Sequence, residues 1–337
     1  MVNTSSKSEA KSTSESKVDA SSVSAGSASS VPAVIVLGAT ATGKTRLGVE
    51  LARHFGGEVI SVDSRQVYRK LDIGSGKDLA EYGDIPYHLI DVADPTTEFS
   101  LFDFLSMVQG TLADLASRQV LPIFAGGTGL FLDALIRGYE LQVAPRNDVL
   151  RASLASLSQE ALNEKLGTLK PLHNTTDTLE RERTIRAIEI AEAELAGGTE
   201  SLQIHLDPVI VGLRCEPDVL RQRIEQRLNA RLEEGMLEEV KGLIAEGVSH
   251  RQLYNFGLEY RYLSSFLLGE LNYNDMKQKL ASAIYQFARQ QNKWFRRMER
   301  RGSRIHWFEA GNVNSEAVAE LVARQLKLSG APEGQDQ

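Results

Sequence analysis

The segment Gly38-Ala39-Thr40-Ala41-Thr42-Gly43-Lys44-Thr45 constrains this chain more than any other. It follows the apolar run Val34-Ile35-Val36-Leu37 and opens a helical pattern through Leu47, Leu51 and Phe55, so it reads as strand, loop and helix. Two glycines let backbone N–H groups curl around an anion at a helix N-terminus, Lys44 adds a point charge, and the Thr45 hydroxyl is placed to hold Mg²⁺. Residues Gly38 to Thr45 are therefore expected to grip a diphosphate or polyphosphate, with Mg²⁺ as the cofactor.

A phosphate loop names the anion and leaves the reaction open. The next segment narrows it: Glu58-Val59-Ile60-Ser61-Val62 reads as a second buried strand and delivers Asp63-Ser64-Arg65-Gln66-Val67-Tyr68 to the carboxyl edge of the sheet. Open α/β sheets bind their ligands at that edge. A carboxylate there can orient Mg²⁺ or take a proton from a nucleophile.

Buried-strand patterns recur at 33–37, 58–62, 87–90, 120–125, 208–213 and 304–308, with helical patterns between them. The expected class is α/β: a P-loop NTPase-like, mainly parallel sheet with helices on both faces, plus an inserted helical subdomain and a helical C-terminal region. The boundaries read as a disordered Ser-rich tail at 1–30, a phosphate-loop core at 31–145, a polar helical insertion without strand signal at 146–200, the rest of the core with a basic helix at 201–328, and a flexible tail at 329–337. The tail lacks arginine and carries Glu9, Glu15 and Asp19, which argues against a mitochondrial leader; it also lacks the apolar core of a secretory signal.

Composition fits a cytoplasmic enzyme. A single cysteine, Cys215, excludes an internal disulfide and a cysteine-rich zinc site, and its expected place in the strand Val209-Ile210-Val211-Gly212-Leu213 makes it a packing residue. The six histidines form no metal-spaced cluster, and His88 reads as structural or orienting. No apolar run approaches the roughly 18 residues that cross a membrane.

The phosphate loop, Asp63-Ser64-Arg65-Gln66-Val67-Tyr68, Leu71-Asp72-Ile73-Gly74-Ser75-Gly76-Lys77, His88-Leu89-Ile90-Asp91 and Gly126-Gly127-Thr128-Gly129-Leu130 follow one another in order. Together they resemble the tRNA dimethylallyltransferases, over roughly residues 33 to 308. The resemblance implies transfer of an isopentenyl group from dimethylallyl diphosphate to N6 of an adenine beside the anticodon, by a monomer that binds the tRNA anticodon arm. Ala39 stands where the family usually has Pro, Arg65 where Met is common, and Asn255-Phe256-Gly257-Leu258-Glu259-Tyr260-Arg261 where many members carry Gly-Tyr-Arg or Gly-Tyr-Lys.

Roles follow from what that reaction demands. The exocyclic amine is a poor nucleophile, so charge developing on the departing diphosphate must be stabilised and the amine proton removed. Lys44, the loop amides, Thr45 with Mg²⁺, Thr128 and an arginine are the stabilising set, and Asp63 is the candidate base. Arg223 and Arg227 share a helix face at i, i+4; matching the family pattern favours Arg227, whose alternative is pairing with Glu225, Glu233 or Glu234.

RNA contacts are expected at Asp63, Ser64, Arg65 and Gln66, at Arg183, Arg186 and Arg151 of the insertion, and along a C-terminal helix. On that helix Ile284, Phe287, Gln291, Trp294, Phe295 and Met298 share one side, while Arg289, Lys293, Arg296 and Arg300 share the other. From Ala281 to Ile305 there are seven Lys or Arg against one acid, Glu299, in a chain of net charge −7, so the positive face is local and suits a particular polyanion.

Three other readings remain open. Gly38-Ala39-Thr40 also resembles the adenylate isopentenyltransferases that use free AMP, ADP or ATP. A nucleotide kinase would share the loop and the carboxylate, and a non-catalytic RNA-binding module would need only the basic stripe.

Overall fold

The computed structural model describes residues 30–144, 146–171, 178–197 and 200–327. The two expected tails, apart from Ser30, and the run His173-Asn174-Thr175-Thr176-Asp177 lie outside the described residues.

Strand β1 (Val31–Gly38) is buried along most of its length and runs into the phosphate loop and helix α1 (Lys44–Phe55). β2 (Glu58–Val62) follows, then the two-residue β3 (Tyr87–His88), α2 (Leu101–Ser117), β4 (Pro122–Gly126) and α3 (Gly129–Arg137). β3 is shorter than the run 87–90 suggests, because Leu89 and Asp91 take positive φ of 62° and 58° and turn the chain out of the ladder.

After the insertion, β7 (Leu206–Arg214) returns to the sheet, and five helices follow: α7 (Pro217–Glu233), α8 (Met236–Ala245), α9 (His250–Asn255), α10 (Leu258–Leu267) and α11 (Tyr273–Arg300). β8 (Ile305–Glu309) and α12 (Ser315–Leu326) complete the described chain. Cys215 lies one residue beyond β7 and packs half-buried on the helical cluster, not within the strand.

The main sheet has the order β3-β2-β4-β1-β7-β8, with every pairing parallel. One face is covered by α1 and α12 through Leu47, Leu51, Val318 and Val322, the other by α2, α3 and α11 through Phe104, Phe131, Phe295 and Met298. Both faces of each central strand are thus dry, which is why these strands read as continuous apolar runs. The order has a functional consequence: β2, β4 and β1 are neighbours, so their carboxyl ends set Asp63, Thr128 and the phosphate loop in one row.

The insertion hangs from a two-stranded antiparallel ribbon that pairs β5 (Leu141–Val143) with β6 (Glu200–Leu202) across its base. Strands of three residues are too short to leave a periodic trace, so the pattern reading missed them. Helices α4 (Asp148–Leu154), α5 (Gln159–Leu169) and α6 (Arg181–Leu195) close on their own small core of Leu154, Leu162, Leu166, Ile185 and Ile188.

A buried carboxylate, Glu189, anchors this unit. It accepts from Arg151 through Nε at 2.7 Å and Nη2 at 2.9 Å, from Arg186 Nη1 at 3.2 Å and from the Asn147 N–H at 3.0 Å. Burial alone would raise its pKa, but these donors prevail and bring it to about 2. The stabilisation is therefore complete above the ordinary value of 4.5 and lost as pH falls through about 2. Glu189→Gln should destabilise the insertion by about 1–3 kcal/mol at neutral pH, since it leaves Arg151 poorly paired. Hydrogen exchange should quicken in α4 and α6 and stay unchanged in β1 and β4; uniform protection throughout would contradict the anchoring role.

Candidate active site

Three of the expected residues meet at the sheet's carboxyl edge. The loop folds on itself through the Thr42 hydroxyl, which donates to Ala39 O at 2.8 Å, and Gly43 caps α1 at φ 84°, a left-handed conformation that a side chain would strain. No side chain caps the N-terminus of α1. Its orphan N–H groups and the positive end of the helix therefore face the site, with Lys44 beside them.

Asp63 directly follows β2, and its Oδ1 accepts from the Arg65 N–H at 2.9 Å. Thr128 is the N-cap residue of α3, yet its hydroxyl makes no cap bond. It reaches instead to the end of the neighbouring β2 and accepts from the Ser64 N–H at 3.1 Å. Thr128 thereby fixes the loop that carries Asp63.

One cavity is lined by Thr40, Lys44, Thr45, Asp63, Arg65, Arg227, Arg231 and Gln291, and its apolar wall is Leu258, Ile284 and Phe287. Arg227 does reach it, and its partner is Asp78 rather than Glu225, Glu233 or Glu234. Arg223 turns away, toward Ala310 O at 3.5 Å.

Arg231, one helical turn beyond Arg227, was not anticipated, although it continues the four-residue spacing of Arg223 and Arg227 and is the most buried of the three. Burial, with Arg227 next to it, lowers its pKa. Lys44 feels the same surroundings: burial first, then Arg227, pull its ammonium down to about 8 against the attraction of Asp63. Three cations lining one cavity, the innermost of them buried, call for an anion with several charges.

Gln291 is the second residue the sequence reading left unassigned. Buried on the apolar side of α11, it accepts from the Thr40 N–H and donates to Gly127 O, both at 2.9 Å. It ties the C-terminal helix to both the phosphate loop and the Gly-Gly-Thr-Gly turn. A lone amide in an otherwise apolar stripe was the available signal. The Arg65 guanidinium lies 5.2 Å over the Phe287 ring at the mouth of the same cavity.

Other expected contacts have different surroundings. Gln66 is buried, with its amide between Ser61 Oγ and Gly76 O, so it braces the cavity wall. Arg151 and Arg186 hold Glu189, and Arg186 also donates to Ala144 O at 2.7 Å. Arg183 is exposed and, among the described residues, pairs with Glu180 at the surface. Arg289, Lys293, Arg296 and Arg300 are all exposed on α11, and among the described residues none of the four has an ion-pair partner. His88 Nε2–H donates to the Glu58 carboxylate at Oε2 over 2.7 Å, an orienting contact beside the Arg118 pair on the same carboxylate.

Mg²⁺ fits what is present. Among the described residues no group of three or more His, Cys, Asp or Glu is arranged for a metal, but the Thr45 hydroxyl and the Asp63 carboxylate are hard oxygens in one cavity. Mg²⁺ characteristically takes one or two such protein ligands and completes its shell with phosphate oxygens and water. No helix among the described residues is long and apolar enough to cross a membrane.

The comparisons agree with this geometry. The IPP transferase family model matches residues 66–298, and an isopentenyl transferase model matches 32–82, which spans the phosphate loop and Asp63. A tRNA dimethylallyltransferase 1 of Hahella chejuensis is 60% identical over 86% of this chain and 96% of its own length. That of Geotalea uraniireducens is 54% identical over 89% and 98%. Among solved structures, the tRNA isopentenylpyrophosphate transferase of Bacillus halodurans superposes with a TM-score of 0.66 at 31% identity, covering 89% of this chain and 97% of that one. The chain therefore belongs to the tRNA dimethylallyltransferase family.

Proposed function

We propose that this protein transfers the dimethylallyl group of dimethylallyl diphosphate to N6 of the adenosine on the 3′ side of a tRNA anticodon, in the cytoplasm and as a monomer. The observation that carries the reading is the make-up of the cavity. Lys44, Arg227, Arg231 and the uncapped α1 terminus form a diphosphate end, and Leu258, Ile284 and Phe287 form an apolar wall in the same space. A kinase has no use for apolar surface beside its transferring phosphate; an allylic donor needs it.

The allylic C–O bond breaks with its electron pair going to the diphosphate oxygen, where Lys44, Arg227 and Arg231 meet the developing charge. The N6 lone pair closes on the allylic carbon, and the N6 proton passes to the Asp63 carboxylate. Thr45 and Asp63 would hold Mg²⁺, whose chemistry when bound is to neutralise the diphosphate. Thr128 and Gln291 hold the reacting groups in register through the Ser64 N–H, the Thr40 N–H and Gly127 O.

A base inside a tRNA loop must first leave its stack, at a cost of a few kcal/mol that contacts along the anticodon arm offset. Arg183 on the insertion and Arg289, Lys293 and Arg296 on α11 are exposed cations suited to that arm. With dimethylallyl diphosphate as donor, an anticodon stem-loop bearing the 3′-adjacent adenine should yield N6-dimethylallyladenosine by nucleoside mass spectrometry, and AMP or ATP little or none. Equal efficiency on AMP would move the protein to the free-nucleotide branch, and phosphate transfer from ATP would make it a kinase.

A further inference from the structure

Asp78 holds both diphosphate-binding arginines from outside the catalytic cavity. Its Oδ2 accepts from Arg227 at 2.5 Å and from Arg231 at 3.3 Å. The two guanidinium groups line the catalytic cavity and also a second, outer one, where Asp78 stands with Gly43, Thr45 and Glu81. The arginines, together with Lys44 and Thr45 of the phosphate loop, border both spaces, and from the second one a carboxylate is fastened to the arginines.

The local backbone is built to keep it there. Lys77, immediately before Asp78, is buried with its ammonium on Tyr68 O, Asp72 and Asp91, which pins the loop from beneath. Asp78 itself takes φ 47°, in the left-handed region that non-glycine residues seldom use, and this turns its side chain back onto the arginines. At Gly76 an added Cβ would lie 1.9 Å from Arg231 Nη2 and 2.7 Å from Arg227 Nη2, so the loop passes flat against both groups.

We infer that Asp78 is an internal stand-in for the donor's diphosphate: its carboxylate orients Arg227 and Arg231 in the free enzyme and yields them to phosphate oxygens when the donor binds. A carboxylate offers a guanidinium anionic oxygen acceptors as a phosphate does, so the exchange keeps a charge-assisted contact on each arginine. Oδ2 is shared between the two arginines and Arg231 adds only a long contact to Oδ1 at 3.5 Å, so each is satisfied less fully than by separate phosphate oxygens, which sets the direction of the exchange. Without Asp78, the buried Arg231 would face Arg227 with Glu259 as its remaining neighbouring carboxylate, on the far side of the cavity lining at the start of α10. Asp78 is thus a positioning residue that also competes with the ligand.

This inference rests on the reading of the cavity as a diphosphate site, and the experiment separates the two. Inorganic pyrophosphate with Mg²⁺ is titrated calorimetrically into the full chain and into Asp78→Asn, since asparagine tolerates the left-handed backbone. Loss of the competing carboxylate should tighten pyrophosphate binding about ten-fold. In an Arg227→Ala background the same substitution should change it by less than about three-fold, because the competition acts through the arginines.

Melting curves supply the second readout. Asp78→Asn should melt lower than the parent alone and gain more from pyrophosphate. Asp78→Gly, which also accepts positive φ, should behave alike if the carboxylate and not the side-chain amide is at issue. Unchanged or weaker pyrophosphate binding in Asp78→Asn would overturn the stand-in role, as would an undiminished gain in the Arg227→Ala background, which would signify only long-range charge. Failure of the parent and all variants to bind pyrophosphate would instead remove the diphosphate reading on which it rests.

Discussion

Lys44→Ala should lower single-turnover transfer at saturating donor by about 10²–10³-fold, the loss expected when one preorganised charge is removed from a developing anion in a site shielded from water. Lys44 is not a detached surface lysine. It stands at the unpaired N-terminus of α1, with Arg227 and Arg231 across the cavity. The same surroundings set a pH dependence. With an ammonium pKa near 8, Lys44 is charged below that pH and progressively neutral above it. Donor affinity of the free enzyme should therefore fall as pH rises through about 8, and this limb should vanish in Lys44→Ala. A rate within a few-fold of the parent, or an alkaline limb that survives the substitution, would detach Lys44 from the leaving group.

The two halves of this site were unequally legible in the sequence. The phosphate loop, Asp63 and Thr128 could be placed because each follows a fully buried strand, and a parallel sheet brings the ends of its strands to one edge whatever the intervening chain does. The arginines depended on tertiary packing. Arg223, Arg227 and Arg231 repeat every four residues, and only the path of α7 past the 72–78 loop selects the last two over the first. Asp78 carries no local signal at all, since its role comes from a contact spanning about 150 residues of sequence. The same limit explains Arg151 and Arg186. Read as free cations on a polar insertion, they meet a carboxylate buried among the insertion's own helices. The α11 pattern succeeded for the opposite reason: a 28-residue helix with one side in two cores displays its period in full, and even Gln291 fell on the correct side.

Asp63→Asn should retain tRNA affinity and lose about 10²–10⁴-fold in transfer rate, the range over which a positioned general base contributes. The substitution is nearly isosteric. The amide oxygen can still accept from the Arg65 N–H, and Ser64 can still donate to Thr128, so the loop keeps its course. What disappears is the group that receives the N6 proton, and with it the negative charge of the Asp63 oxygen proposed for Mg²⁺. The two losses can be told apart. If Asp63 acts chiefly on the metal, excess Mg²⁺ should restore much of the rate and donor KM should rise. If it acts as the base, kcat should fall at every Mg²⁺ concentration with donor KM and tRNA affinity little changed. The geometry favours the second outcome, because Thr45 and the diphosphate oxygens can still hold the ion, whereas Glu259 is the other carboxylate lining this cavity and lies beyond Leu258 at the start of α10. Full activity in Asp63→Asn, with Glu259→Gln inactive, would transfer the proton-accepting role to α10 and require the adenine to enter from that side.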